Sequence, residues 1–148
     1  MEFRVAQGSR AQRAVVPWAA LFRCVQRLEH AMPTTSVALV VVPPKRMAAL
    51  NHVYRGKNGP TDVLAFPADA RQPQRDGSGD VILCPAVLRT RFPGQQQAPL
   101  LAHRFVHALL HLHGYDHATE TANRRMEKRV QHCLKTFYGP HYSTQHTQ

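Results

Sequence analysis

Residues 107–117 read His-Ala-Leu-Leu-His-Leu-His-Gly-Tyr-Asp-His, and three of these histidines stand at the spacing of a metal site. His107 and His111 are four residues apart, and on a helix such positions lie about 5–6 Å from each other on one face. Two imidazoles so placed can reach one ion. Gly114 can take the left-handed conformation that ends a helix, which turns the chain so that His117 supplies a third ligand. Three neutral histidines with an open fourth position describe a catalytic zinc site better than a closed structural one. A single histidine on a helix is usually packed or solvated, and this chain has ten. The i, i+4 pair, the glycine stop and the third histidine together carry the metal reading. His103 lies one turn before His107 on the same face and is a competing ligand, whereas His113 points away from that face.

The element that must hold this site is a helix over residues 98–113. At 100° per residue His103, His107 and His111 fall in one narrow stripe, while Ala102, Phe105, Val106, Ala108, Leu109 and Leu112 spread around the rest. A helix apolar on most sides is buried, and a polar stripe along it is costly unless its groups are paired or ligated. Residues 119–137 suit a second amphipathic helix with Met126, Val130, Cys133, Leu134 and Phe137 inward. Upstream, the pattern predicts a strand over 2–6, a helix from Pro17 to about Ala31, and a strand buried on both faces over 37–42. It then predicts a short helix over 45–52, a loop through the glycines and Pro60, strands over 62–66 and 79–84, and a short helix over 85–92. Residues 68–79 read as a flexible surface loop, and the tail 138–148 as loose.

At 148 residues the chain is expected to be one domain, 1–148. No apolar run approaches the ~18–20 residues of a membrane span. Cys24, Cys84 and Cys133 are odd in number and widely spaced, which argues against a disulfide framework and predicts a reducing, cytoplasmic setting. The net charge is +10, and fifteen of the nineteen basic residues are arginine, whose forks suit phosphate. Such an excess attracts polyanions, so nucleic acid is the expected partner, although solubility alone also accounts for charge.

The spacing His-x-x-x-His-x-x-Gly-x-x-His is also that of the metzincin peptidases, whose glutamate after the first histidine is the general base. Ala108 stands there instead and cannot take a proton, which argues against peptide hydrolysis.

Residues 107–117 resemble the characteristic run of the YbeY single-strand endoribonucleases, also called rRNA maturation factors. The Tyr54-Arg55-Gly56-Lys57 run with Pro60-Thr61-Asp62-Val63-Leu64 and Phe66-Pro67 is similar to that family's second signature. Gly79-Asp80-Val81-Ile82 is similar to its third, and Met126 falls where the family carries a methionine. Two small changes mark this chain: Ala108 replaces a glycine and Ala65 a serine. The segment between Cys84 and His103 is slightly short and lacks the acidic and histidine residues often found there.

The resemblance implies an α+β fold, a small mixed sheet packed with helices and carrying a zincin-like helix-turn site. It implies one Zn2+ on His107, His111 and His117, and an arginine at Arg55 needed for activity. It further implies processing of the small-subunit rRNA 3′ end and ribosome quality control. The partners it implies are single-stranded RNA, the small ribosomal subunit, ribosomal proteins and a ribosome-associated GTPase. Zinc there is expected to lower the pKa of a water towards ~7 or to polarise a phosphoryl oxygen. Arg55 offers a fork to the phosphate as charge builds, and Lys57 is a candidate for flanking phosphates. Asp116 either orients a histidine or handles a proton, or else caps a loop. Attack by zinc-bound hydroxide and by the RNA's own 2′-hydroxyl both stay open. A different class also stands, a zinc-stabilised rRNA-binding assembly factor in which the metal serves folding.

Overall fold

The computed structural model describes residues 1–7, 16–69, 71 and 76–142. Strand β1 (Glu2–Gln7) leads to α1 (Trp18–Leu28), β2 (Ser36–Val41), α2 (Pro44–Arg55), β3 (Val63–Pro67) and β4 (Gly79–Leu83). Then follow α3 (Pro85–Arg91), α4 (Gln97–Leu112) and α5 (Glu120–Tyr138). The fold is α+β: the strands form one mixed sheet in the order β1-β2-β4-β3, with β3 antiparallel to β4 and the other pairs parallel.

Side chains alternate across a strand, and here the alternation divides the apolar residues between two cores. Val37, Leu39, Val81 and Leu83 face a large core with residues of α1, α4 and α5. Leu64, Ile82 and Phe66 face a smaller one with Met47 and Leu50 of α2. β2 and β4 are thus covered on both sides, as the continuous apolar run of β2 predicts. Helix α4 is the hub of the larger core, with Leu100, Ala102, Phe105, Val106, Leu109, Leu110 and Leu112 all buried. It touches α1, α3, α5, β3 and β4. Phe105 meets Trp18 of α1 edge-on at 5.1 Å and Phe3 of β1 at 5.7 Å, so aromatic contacts join the edge strand to the central helix.

Two helix ends differ from the predicted ones by more than a residue, each for a local reason. α1 stops at Leu28 rather than near Ala31, because His30 takes φ 54°. Its N–H bonds the Arg27 carbonyl while that of Ala31 bonds Gln26, which is Schellman closure with a histidine at the left-handed position. α2 runs to Arg55, a turn beyond the predicted end, because Gly56 at φ 66° supplies the stop instead of the loop residues before it. Arg55 therefore sits on a helix terminus and not in a loop. Asn51, buried on α2, donates its amide to the Gly59 carbonyl at 2.9 Å and pins the loop that follows.

The predicted loop over 68–79 is described only in part, residues 70 and 72–75 lying outside the described residues. Its end is anchored: Thr35 donates to the Asp76 carbonyl at 2.9 Å. Gly77, at φ 86°, lies so close to the His113 ring that a Cβ there would be 2.3 Å from it. Residues expected to be a loose tail from 138 onward begin inside α5, and Tyr138 stacks on Tyr142 at 4.4 Å. The remaining residues 143–148 are outside the described residues.

All three cysteines are free and buried, and burial pushes the Cys133 thiol up to about 12. Thiolate is the reacting form, so the native protein at pH 8 is expected to leave its thiols nearly untouched by a disulfide reagent. All three should react once denaturant is added. Prompt reaction of Cys133 in the native state would contradict this packing.

Candidate metal centre

His107 and His111 project from the last turns of α4, and the chain then turns through Gly114 at φ 99° to bring His117 back. The ligand-capable atoms of the three histidines lie within 4.8 Å of one another. Their ring centroids are 4.9–5.9 Å apart, and His111 Nε2 is 3.0 Å from His117 Nδ1. His107 is held well below the usual imidazole range, at about 4, chiefly by burial and then by the neighbouring histidines. Its ring is therefore neutral at physiological pH and keeps a lone pair for coordination. Three imidazoles converging from a helix and the turn after it suit a divalent ion with one side left open.

The two competing histidines have other partners. The Arg104 guanidinium lies 2.7 Å from His103 Nδ1. Because arginine only donates, that nitrogen must accept. Nε2 therefore carries the proton and donates to the Glu127 carboxylate at 3.0 Å. Both ring nitrogens of His103 are thus engaged away from the cluster. Burial alone would raise the Glu127 carboxyl, but the hydrogen bonds from His103 and Gln131 outweigh it and hold the group below its ordinary value. His113 donates to the Gln26 side chain and ties the end of α4 to α1.

The histidine cluster forms one wall of a cavity of about 460 Å³ that runs along β3. Arg55, Tyr54, Asp62, Ala65, Phe66 and Ala108 are among its other linings. Arg55 has no ion-pair partner among the described residues, so its charge faces the cavity uncompensated. Lys57 is exposed in the following loop and is not one of the lining residues. Asp116 lies elsewhere: its carboxylate accepts the Ala118 N–H at 3.2 Å and borders a separate depression with His113 and Arg125. That is the geometry of a turn-capping carboxylate.

Sequence reasoning passed over Asp62 and Arg104. Asp62 Oδ2 accepts from Arg104 Nε at 2.7 Å and from Arg91 at 3.0 Å, and both Asp62 and Arg104 are buried. The pair clamps the start of β3 to α4 beside His107. An arginine on an otherwise apolar helix, one turn before a ligand, was the available signal. Removing one partner of a buried pair leaves the other charge unpaired, at a cost of about 3–5 kcal/mol. Asp62→Ala is expected to lower the unfolding free energy in urea by about 3 kcal/mol, near the low end because half-exposed Arg91 can return to water. A loss below about 1 kcal/mol would mean that the clamp is not structural.

The family model described as Endoribonuclease YbeY matches residues 8–138. The chain is similar to endoribonuclease YbeY of Methylococcus capsulatus, 39% identical over 124 residues, which cover 81% of this chain and 82% of that protein. It is also similar to endoribonuclease YbeY of Beutenbergia cavernae, 35% identical over 129 residues, covering 81% and 86% respectively. The solution structure of TM1509 from Thermotoga maritima, 22% identical, matches 93% of this chain and 92% of its own with a TM-score of 0.60, which shows a shared fold. On these matches the chain belongs to the endoribonuclease YbeY family.

Proposed function

We propose that this protein is a zinc-dependent endoribonuclease that cuts single-stranded RNA in maturing the 3′ end of small-subunit rRNA. The observation that carries this reading is the meeting in one cavity of His107, His111, His117 and Arg55, which has no ion-pair partner among the described residues. His107, His111 and His117 hold the ion, and zinc bound there supplies Lewis acidity at the phosphate. Arg55, on the last turn of α2, directs its donors at the non-bridging phosphate oxygens, where charge accumulates as the chain is cut. Lys57, just outside, is placed to meet a flanking phosphate. The small ribosomal subunit, ribosomal proteins and a ribosome-associated GTPase are the proposed partners, and the cytoplasm the proposed site of action. No helix among the described residues is long and apolar enough to cross a membrane. The overall charge of +10 supports a polyanionic substrate.

One observation favours a second reading, a metal-stabilised rRNA-binding factor without turnover. Ala108 occupies the place of a general base, and Asp62, a carboxylate on the cavity wall, is held by two arginines. Attack by the RNA's own 2′-hydroxyl also has to pass its proton to a base, so it stands beside hydroxide attack and is told from it by a 2′,3′-cyclic phosphate product.

Two measurements decide between the readings. Arg55→Ala should lower cleavage of a single-stranded oligonucleotide about a hundredfold or more while metal content by mass spectrometry stays unchanged. Cleavage at the wild-type rate would remove Arg55 from the chemistry. His111→Ala should lose both zinc and cleavage while keeping its circular dichroism spectrum, and chelator should stop the wild-type reaction until zinc is returned. A zinc-loaded wild type that binds rRNA but leaves it intact would favour the binding factor.

A further inference from the structure

Tyr54 is 64% exposed, yet it occupies the inward stripe of α2. It lies seven residues after buried Met47 and three after buried Asn51, so all three share one helical face. That face packs on the sheet at Met47 and passes beyond it at Tyr54, which overhangs the cavity. Its ring centroid is 4.7 Å from that of Phe66, at an interplanar angle of 51°. The two rings make an open corner, and Ala65 and Ala108 line the same cavity. Exposed aromatics scattered singly need no explanation. This one is paired, borders the histidine cluster and sits on a helix end held by the Asn51–Gly59 hydrogen bond.

We propose that Tyr54 and Phe66 form a stacking platform for one unpaired nucleobase beside the scissile phosphate, which makes the site select single-stranded RNA. The inference rests on the RNA reading of the cavity and adds the substrate contact that reading lacks. Arg55 and Tyr54 are consecutive on a helix, so their side chains diverge by about 100°. One can take a phosphate while the other takes a base, without competition. A base in a duplex has both faces stacked and cannot offer one to Tyr54, whereas an unpaired base can. Because every base has a π-face, the platform chooses strandedness more than sequence.

The test measures binding of a fluorescein-labelled single-stranded RNA by anisotropy, together with its cleavage, for zinc-loaded wild type, Tyr54→Leu and Tyr54→Phe. Tyr54→Leu is expected to weaken binding and raise KM about tenfold, with kcat within about twofold of wild type. Tyr54→Phe restores both, because it keeps the ring. In a series of oligonucleotides each lacking one base, one position should cost the wild type that same factor and cost Tyr54→Leu nothing more. Unchanged binding by Tyr54→Leu, a loss that Tyr54→Phe fails to restore, or equal losses at every abasic position would each overturn the platform. Binding is read without turnover, so a wild type that binds but does not cut defeats the nuclease reading and leaves this comparison decisive.

Discussion

Burial of α4 is the constraint from which the rest of the structure follows. Its apolar residues are turned towards the sheet on one side and towards α1 and α5 on others, so little of its surface is left for water. The helix nevertheless carries four polar side chains that can ionise: His103, Arg104, His107 and His111. Each needs a partner, since an unpaired polar group in such a position costs more than a typical hydrogen bond returns. The partners come from elements distant in sequence. Glu127 of α5 takes His103, and Asp62 at the start of β3 takes Arg104. His107 and His111 meet His117 at the end that opens to the cavity. Along the helix the polar groups pass from hydrogen-bonded and ion-paired partners inside to a convergent set of histidines at the mouth.

This arrangement ties stability to site geometry. The Asp62–Arg104 pair sets where β3 lies against α4, and β3 provides one long side of the cavity. The antiparallel pairing of β3 with β4, register Leu64↔Ile82 and Phe66↔Asp80, then determines which of its side chains face α2. Phe66 faces α2 and meets Tyr54. Arg55 is placed by a different device, the left-handed Gly56 that lets α2 run one turn further than its own residues suggest. The wall bearing charge and the wall bearing donors thus come from separate elements, brought together only by the sheet between them.

Much of the architecture was legible in the residues. Every described strand and helix has a counterpart in the hydrophobic pattern, because the amphipathic periods are strong and prolines and glycines mark most ends. The two displaced ends, at His30 and Gly56, are places where a single left-handed residue decides the stop. Such backbone choices leave no periodic trace, and a histidine in that role is uncommon enough that composition does not suggest it. Asp116 shows the complementary limit. Its adjacency to His117 left it either a role beside the metal or the capping of a loop, and only the folded chain shows its carboxylate accepting the Ala118 N–H in a turn.

By itself the sequence determined the three-histidine spacing, the buried helix that bears it and the excess of arginine, since these depend only on residue type and helical period. The tertiary structure decided which histidines remain for a metal. His103 and His107 are equivalent by spacing, and the approach of Glu127 from α5 sets them apart. It also decided what faces the histidine cluster across the cavity. Residues 54, 55, 62 and 66 lie more than 40 positions before His107, and no local pattern relates them to it. Their convergence comes from the pairing of β3 with β4 and the packing of α4 beneath both, interactions between segments that a linear reading cannot bring into contact.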